Sequence, residues 1–159
     1  VGLAHAGMAT LESTRTEAGR KDYGLDMENT DSPLAAGLGF AIDFDKPGGF
    51  VGRGALIAEK EAGPLRSRLV QFLLEDSEPL LFGEEPIFLD GERVGYLRSG
   101  NYGHTMGGAM GFGYVENEDG VSADLVKQGS FEIQVAGRRY PARASLRPMY
   151  DPGNERVRM

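Results

Sequence analysis

Glycine and proline punctuate this chain so often that a helix bundle is a poor solution for it. Its 159 residues include 24 Gly and 8 Pro. Gly admits positive φ and Pro removes a backbone donor, so both mark turns. Beyond Gly63-Pro64 they separate six strand-like runs: Arg68 to Leu74, Pro86 to Leu89, Arg93 to Ser99, Met110 to Val115, Phe131 to Val135 and Tyr140 to Leu146. Asp90-Gly91 and Ala136-Gly137 are breaks of hairpin length. Short strands at this spacing predict a compact barrel or sandwich.

The first third reads differently. Ala4, Met8 and Leu11 fall at helical spacing and Gly19 suits a left-handed cap, which predicts a helix over about residues 3–20. Asp31 or Ser32 before Pro33 predicts the N-cap of a short helix through Ala36. Phe40 to Phe44 reads as a strand ended by Lys46-Pro47-Gly48-Gly49, and residues 53–62 as a second helix stopped by Gly63-Pro64. The fold class is therefore α+β, weighted towards β, with a module boundary at about residue 63.

Composition excludes several functions. No segment approaches the roughly 20 apolar residues of a bilayer helix. Without Cys there are no disulfides, thiolate metal sites or thiol nucleophiles, and the chain suits a reducing compartment such as the cytoplasm. A net charge of -7 disfavours the clustered basic surface that nucleic acid requires. His5 and His104 stand far apart without neighbouring ligand patterns, and no Gly-x-Ser-x-Gly elbow occurs. The Gly-rich run from Gly103 to Gly113 lacks the Gly-Lys-Ser/Thr ending of a phosphate loop and leads into a strand, so its glycines read as permitting a bend or a close approach.

The polar run Thr14-Arg15-Thr16-Glu17 at the end of the first helix admits two readings. Glu17 and Lys21 stand at i, i+4 in the favourable orientation for a surface ion pair. Alternatively Arg15 or Glu17 faces a ligand, and Tyr23 supplies a ring for stacking. Arg15 and Glu17 diverge by roughly 200° on a helix and do not share a face.

Ordered motifs then point to a family. Glu17-Ala18-Gly19, Tyr23-Gly24-Leu25-Asp26 and Ser32-Pro33-Leu34-Ala35-Ala36-Gly37-Leu38-Gly39-Phe40 resemble the second half of the glycine-cleavage T-protein (aminomethyltransferase) family. Phe50-Val-Gly-Arg-Gly-Ala-Leu56 resembles its Phe-Ile-Gly-Arg-x-Ala-Leu segment, and residues 95–100 resemble its Gly-x-Val-Thr-Ser-Gly segment. Arg68-Leu-Val and the ending Pro148-Met-Tyr-Asp-Pro152 complete the series, the ending being similar to the folate-binding domains of dimethylglycine and sarcosine dehydrogenases.

The resemblance implies that residues 1–63 are the end of a folate-binding region and residues 64–159 a C-terminal antiparallel β-barrel. It implies a three-part ring holding tetrahydrofolate, and transfer of a one-carbon unit from an amine-borne donor, such as dimethylglycine or sarcosine, to the folate. Glu17 and Tyr23 would face the folate, and Arg68 would grip a carboxylate tail bidentately. The family's catalytic Asp would lie before Val1, as would any FAD-binding domain, so these 159 residues would carry part of the pocket without catalytic residues or turnover of their own. Their partners would be folate, the amine donor and the missing N-terminal part of the same chain. Leu11 stands where T-proteins have a folate-contacting Arg, and Arg20 where an aromatic residue is common. The alternative reading is a non-catalytic folate-binding or interaction domain of a larger oxidoreductase.

Overall fold

The structure, a computed structural model, describes residues 2–158. Six antiparallel strands close into a barrel in the order β1-β4-β3-β2-β5-β6: β1 is Ser67–Leu74, β2 Pro86–Leu89, β3 Glu92–Gly103, β4 Gly108–Glu116, β5 Phe131–Val135 and β6 Arg138–Ser145. Closure removes the exposed edges that short strands would otherwise present. The hairpins fall where glycine allows them: Asp90 and Gly91 both take positive φ between β2 and β3, and Ala136 and Gly137 do so between β5 and β6.

Alternation along the strands builds the core. Val70, Phe72 and Leu74 of β1 point inward with Ile87, Leu97, Val115 and Ile133, and the Phe72 and Phe131 rings meet edge-on at 5.5 Å. The opposite face of β1 is also buried, through Leu69, Gln71 and Leu73. Part of the reason lies in the first third of the chain. Helix α1 packs against β3 and β4, and the Leu69 amide donates to the Ala35 carbonyl at 2.9 Å, ahead of the point where β6 begins to pair with β1.

The glycine run serves close packing. A Cβ on Gly111 would stand 2.3 Å from the Ser99 carbonyl oxygen, and one on Gly113 would stand 2.6 Å from Tyr96 O. These glycines let β4 lie hard against β3.

Four elements differ from the sequence-based expectation. Helix α1 spans Met8–Glu17, shorter at both ends than residues 3–20. Phe40 to Phe44 is not a strand: Gly39–Ala41 is a 3-10 turn, Phe40 is 87% exposed, and among the described residues no strand pairs with the segment. An isolated alternating run has nothing to satisfy its backbone groups as a strand would. Between Asp31 and Gly37 a single turn forms, with the Ala36 amide donating to the Ser32 carbonyl at 2.9 Å. Helix α2, Arg53–Glu61, lies where expected. Helix α3, Ala123–Gln128, was missed, although Ser122 is an N-cap whose hydroxyl accepts from the Leu125 amide at 3.0 Å.

Candidate functional site

Helix α1 ends in a Schellman motif, with the Arg20 amide donating to the Arg15 carbonyl at 2.8 Å and the Gly19 amide to Thr16 at 3.1 Å. Gly19 is required twice over: its φ is +68°, and a Cβ would meet Pro148 at 2.7 Å. The polar last turn is buried rather than solvated, through Ser13, Arg15, Thr16 and Glu17.

Each buried polar group has a distant partner. The Ser13 hydroxyl donates to the Tyr102 carbonyl at 2.7 Å, and Asn101 Nδ2 donates to Thr16 Oγ1 at 3.2 Å. Gln71 Nε2 donates to the Thr16 carbonyl at 2.5 Å while its Oε1 accepts from the Met149 amide at 3.0 Å. Arg15 Nη1 lies 2.5 Å from Asp26 Oδ2, and its Nε donates to Glu12 Oε2 at 2.6 Å. Asp26 is fully buried; its Oδ2 also accepts from the Asp22 amide at 2.7 Å, and its Oδ1 accepts from the Ser99 hydroxyl at 2.5 Å. Burial alone would lower the Arg15 pKa, but the adjacent Asp26 and Glu12 carboxylates leave it raised on balance. This cluster fastens the first third of the chain to β3.

The residues proposed from sequence fall in different surroundings. Glu17 makes no ion pair with Lys21; its Oε1 accepts from the Thr105 and Met106 amides at 2.6 and 3.1 Å, in the turn between β3 and β4. Tyr23 is 66% exposed. Arg68 Nη1 donates to the Val121 carbonyl at 3.2 Å, and burial lowers its pKa. None of the three lines the large cleft described next.

That cleft, of about 1120 Å³, lies on the outer face of β3 and β4. Leu97 and Val115 point into the core, so Tyr96 and Tyr114, directly paired across the ladder, point outward into the cleft. Arg98 enters it from a β-bulge, because Leu97 pairs with Gly113 and Ser99 with the very next residue, Phe112. The Arg98 guanidinium stands 5.5 Å from the Tyr114 ring centre and 3.4 Å from both Glu28 and Asp31. Arg93 is tied to Tyr96, donating to its hydroxyl at 2.6 Å.

The Tyr114 hydroxyl is shielded from solvent and makes no hydrogen bond of good geometry, although the Asp31 carboxylate stands close enough to act as its acceptor. Burial pushes its pKa up to about 12, with the Asp31 carboxylate adding to the shift and Arg98 opposing it. It is therefore a neutral donor at physiological pH. The cleft as a whole offers two planar rings and three arginines among six carboxylates, so its net charge is negative. Sequence reasoning missed it because Asp31, Arg98 and Tyr114 come from three separate segments. The outward register of Tyr96 and Tyr114 was the one available signal.

Residues 67–151 match the family described as glycine cleavage T-protein C-terminal barrel domain. The match covers more than half of the chain, including all six strands. The chain belongs to that family. The T-protein barrel and the segment before it are 44% identical over 158 residues to 4-methylaminobutanoate oxidase (formaldehyde-forming) of Paenarthrobacter nicotinovorans, covering 99% of this chain and 18% of that protein. Identity to human mitochondrial sarcosine dehydrogenase is 38% over 159 residues, covering 99% and 17%. The chain thus spans under a fifth of the length of these curated relatives. The crystal structure of the glycine cleavage system aminomethyltransferase T of Bartonella henselae shares the fold, with a TM-score of 0.75 at 23% identity, over 92% of this chain and 39% of that one.

Proposed function

We propose that this chain is the C-terminal part of a tetrahydrofolate-dependent aminomethyltransferase linked to an amine-oxidising flavoprotein, and that the cleft on β3 and β4 forms one wall of its folate pocket. The observation that carries this reading is the T-protein match across all six strands of the barrel, whose outer cleft holds the paired Tyr96 and Tyr114. A reduced pterin joined to an aminobenzoyl-glutamate arm is a flat, hydrogen-bonding, anionic ligand. Tyr96 and Tyr114 suit the flat ring system of such a ligand.

Bound folate supplies the nitrogen acceptor for the one-carbon unit. This chain's residues bind and orient it: Tyr96 and Tyr114 offer their rings, and the buried Arg15, Glu17 and Asp26 hold the walls in register. No carboxylate here matches the family's base, so proton removal belongs to the remainder of the protein, as does FAD. Exposed Leu3, Met8, Leu11 and Phe40 provide apolar surface for that remainder. Lack of cysteine suits the cytoplasm, the location this reading assigns.

Calorimetric titration of the full-length protein with 5-formyltetrahydrofolate, alongside turnover of sarcosine or dimethylglycine with tetrahydrofolate, tests the reading. Binding with folate-dependent capture of the one-carbon unit is the expected result. Binding without capture returns the chain to a non-catalytic domain of an oxidoreductase, and no binding overturns the folate assignment.

A further inference from the structure

We propose that Lys21 is a covalent capture site for a one-carbon aldehyde, its amine forming an imine at the seam between the first third of the chain and the barrel. The source of the aldehyde rests on the amine-oxidising activity of the proposed function. Two-electron oxidation of an N-methylamine gives an iminium, which water hydrolyses to formaldehyde and the demethylated amine.

Lys21 stands apart from the other lysines. Lys46, Lys60 and Lys127 are exposed, whereas Lys21 is partly buried. Glu17, the partner that helical spacing offers it, is spent on the Thr105 and Met106 amides. Among the described residues Lys21 forms no ion pair. The carboxylate whose field reaches it is Asp26, already bound by Arg15, the Asp22 amide and the Ser99 hydroxyl.

The surroundings select a small reagent. Lys21 Nζ lies against the backbone of Gly37, 3.5 Å from where a Cβ there would stand. Lys21 also lines a cavity of about 20 Å³ with Gly19, Gln71, Ser145 and Arg147. Such a space holds about one water-sized molecule, which suits a one-carbon electrophile and leaves no room for a bulky acyl carrier. Burial lowers the Lys21 pKa, with the Asp26 charge opposing, and Arg147 on the same cavity wall supplies no counter-charge. At neutral pH Lys21 therefore holds a larger fraction of neutral, nucleophilic amine than an exposed lysine. Its nitrogen lone pair forms the bond to the aldehyde carbon, and both amine protons leave with the carbonyl oxygen as water. A methylene imine remains on Lys21, and no oxidant is consumed.

The test treats full-length protein at neutral pH with limiting formaldehyde and sodium cyanoborohydride, which reduces the imine to N-methyl-lysine. Peptide mass mapping then compares the four lysines of this chain. Lys21 should be methylated roughly three- to tenfold faster than Lys46, Lys60 and Lys127, with a rate that levels off at lower pH than theirs. Denaturant should erase the preference, and Lys21→Arg should remove that label while leaving the other three. Equal or slower labelling of Lys21, or a preference that persists in denaturant, would overturn the proposal. Dimethylglycine in place of formaldehyde tests the source. Labelling of Lys21 then supports the capture site and the amine-oxidising reading together. A preference seen only with added formaldehyde supports the capture site and counts against that reading alone.

Discussion

Glu17 Oε1 lies 2.6 Å from the Thr105 backbone nitrogen, joining the last residue of α1 to the turn between β3 and β4 across 88 positions of sequence. The same oxygen accepts from Met106 at 3.1 Å. Replacing Glu17 with Ala leaves two amides without their acceptor, and denaturant unfolding should show a loss of about 2 to 3 kcal/mol. Glu17→Gln, which keeps one carbonyl oxygen, should lose less. A full-strength fold with weakened folate affinity would instead assign Glu17 to the ligand.

Asp26 neutralises Arg15 in a buried setting, and breaking such a pair is worse than removing it. Asp26→Asn should destabilise by about 1 to 3 kcal/mol, because the guanidinium loses its fully buried partner and keeps only Glu12. In a double-mutant cycle, Arg15→Met combined with Asp26→Asn should cost clearly less than the sum of the single losses. Additive losses would show that the two residues act independently.

Tyr114→Phe should behave unlike either. Its hydroxyl is buried with the Asp31 carboxylate as its acceptor in reach, so removing it should change unfolding stability by less than about 1 kcal/mol in either direction. Affinity for 5-formyltetrahydrofolate should fall nonetheless. Unchanged affinity would remove this hydroxyl from the proposed pocket.

The raised Tyr114 pKa has a definite pH signature. A folded-state value of about 12 against 10.0 unfolded means that the folded protein holds this proton more tightly. The associated stability is fully present below pH 10 and is lost as pH rises towards 12. Absorbance titration should find one tyrosine ionising near 12, absent from Tyr114→Phe. Ionisation of every tyrosine near 10 would contradict this.

Gly111→Ala should destabilise by about 1 to 3 kcal/mol, because the new methyl would meet the Ser99 carbonyl of the neighbouring strand, whose backbone cannot yield as a side chain does. Gly91→Ala, with open space around its Cβ, should lose only what its positive φ imposes. Thermal unfolding of the two variants measures the difference.

Local patterns were sufficient for the barrel strands and for the family. The alternation of Val70, Phe72 and Leu74, and hairpin pairs such as Asp90-Gly91, report burial and φ, properties that neighbouring residues largely determine. Hence Pro86–Leu89 and Phe131–Val135 have the bounds their sequences predict. Alternation also predicted a strand at Phe40 to Phe44, where tertiary structure supplies no neighbour to pair with it. Helical spacing offered Lys21 as the partner of Glu17, whereas folding brought Thr105. The cleft lies furthest from the sequence, because Asp31, Arg98 and Tyr114 meet only after the barrel closes and the bulge sets the direction of Arg98. Periodicity can assign a face to a residue in its own element; the partner across a buried gap depends on loop closure and sheet register, which only the assembled chain decides.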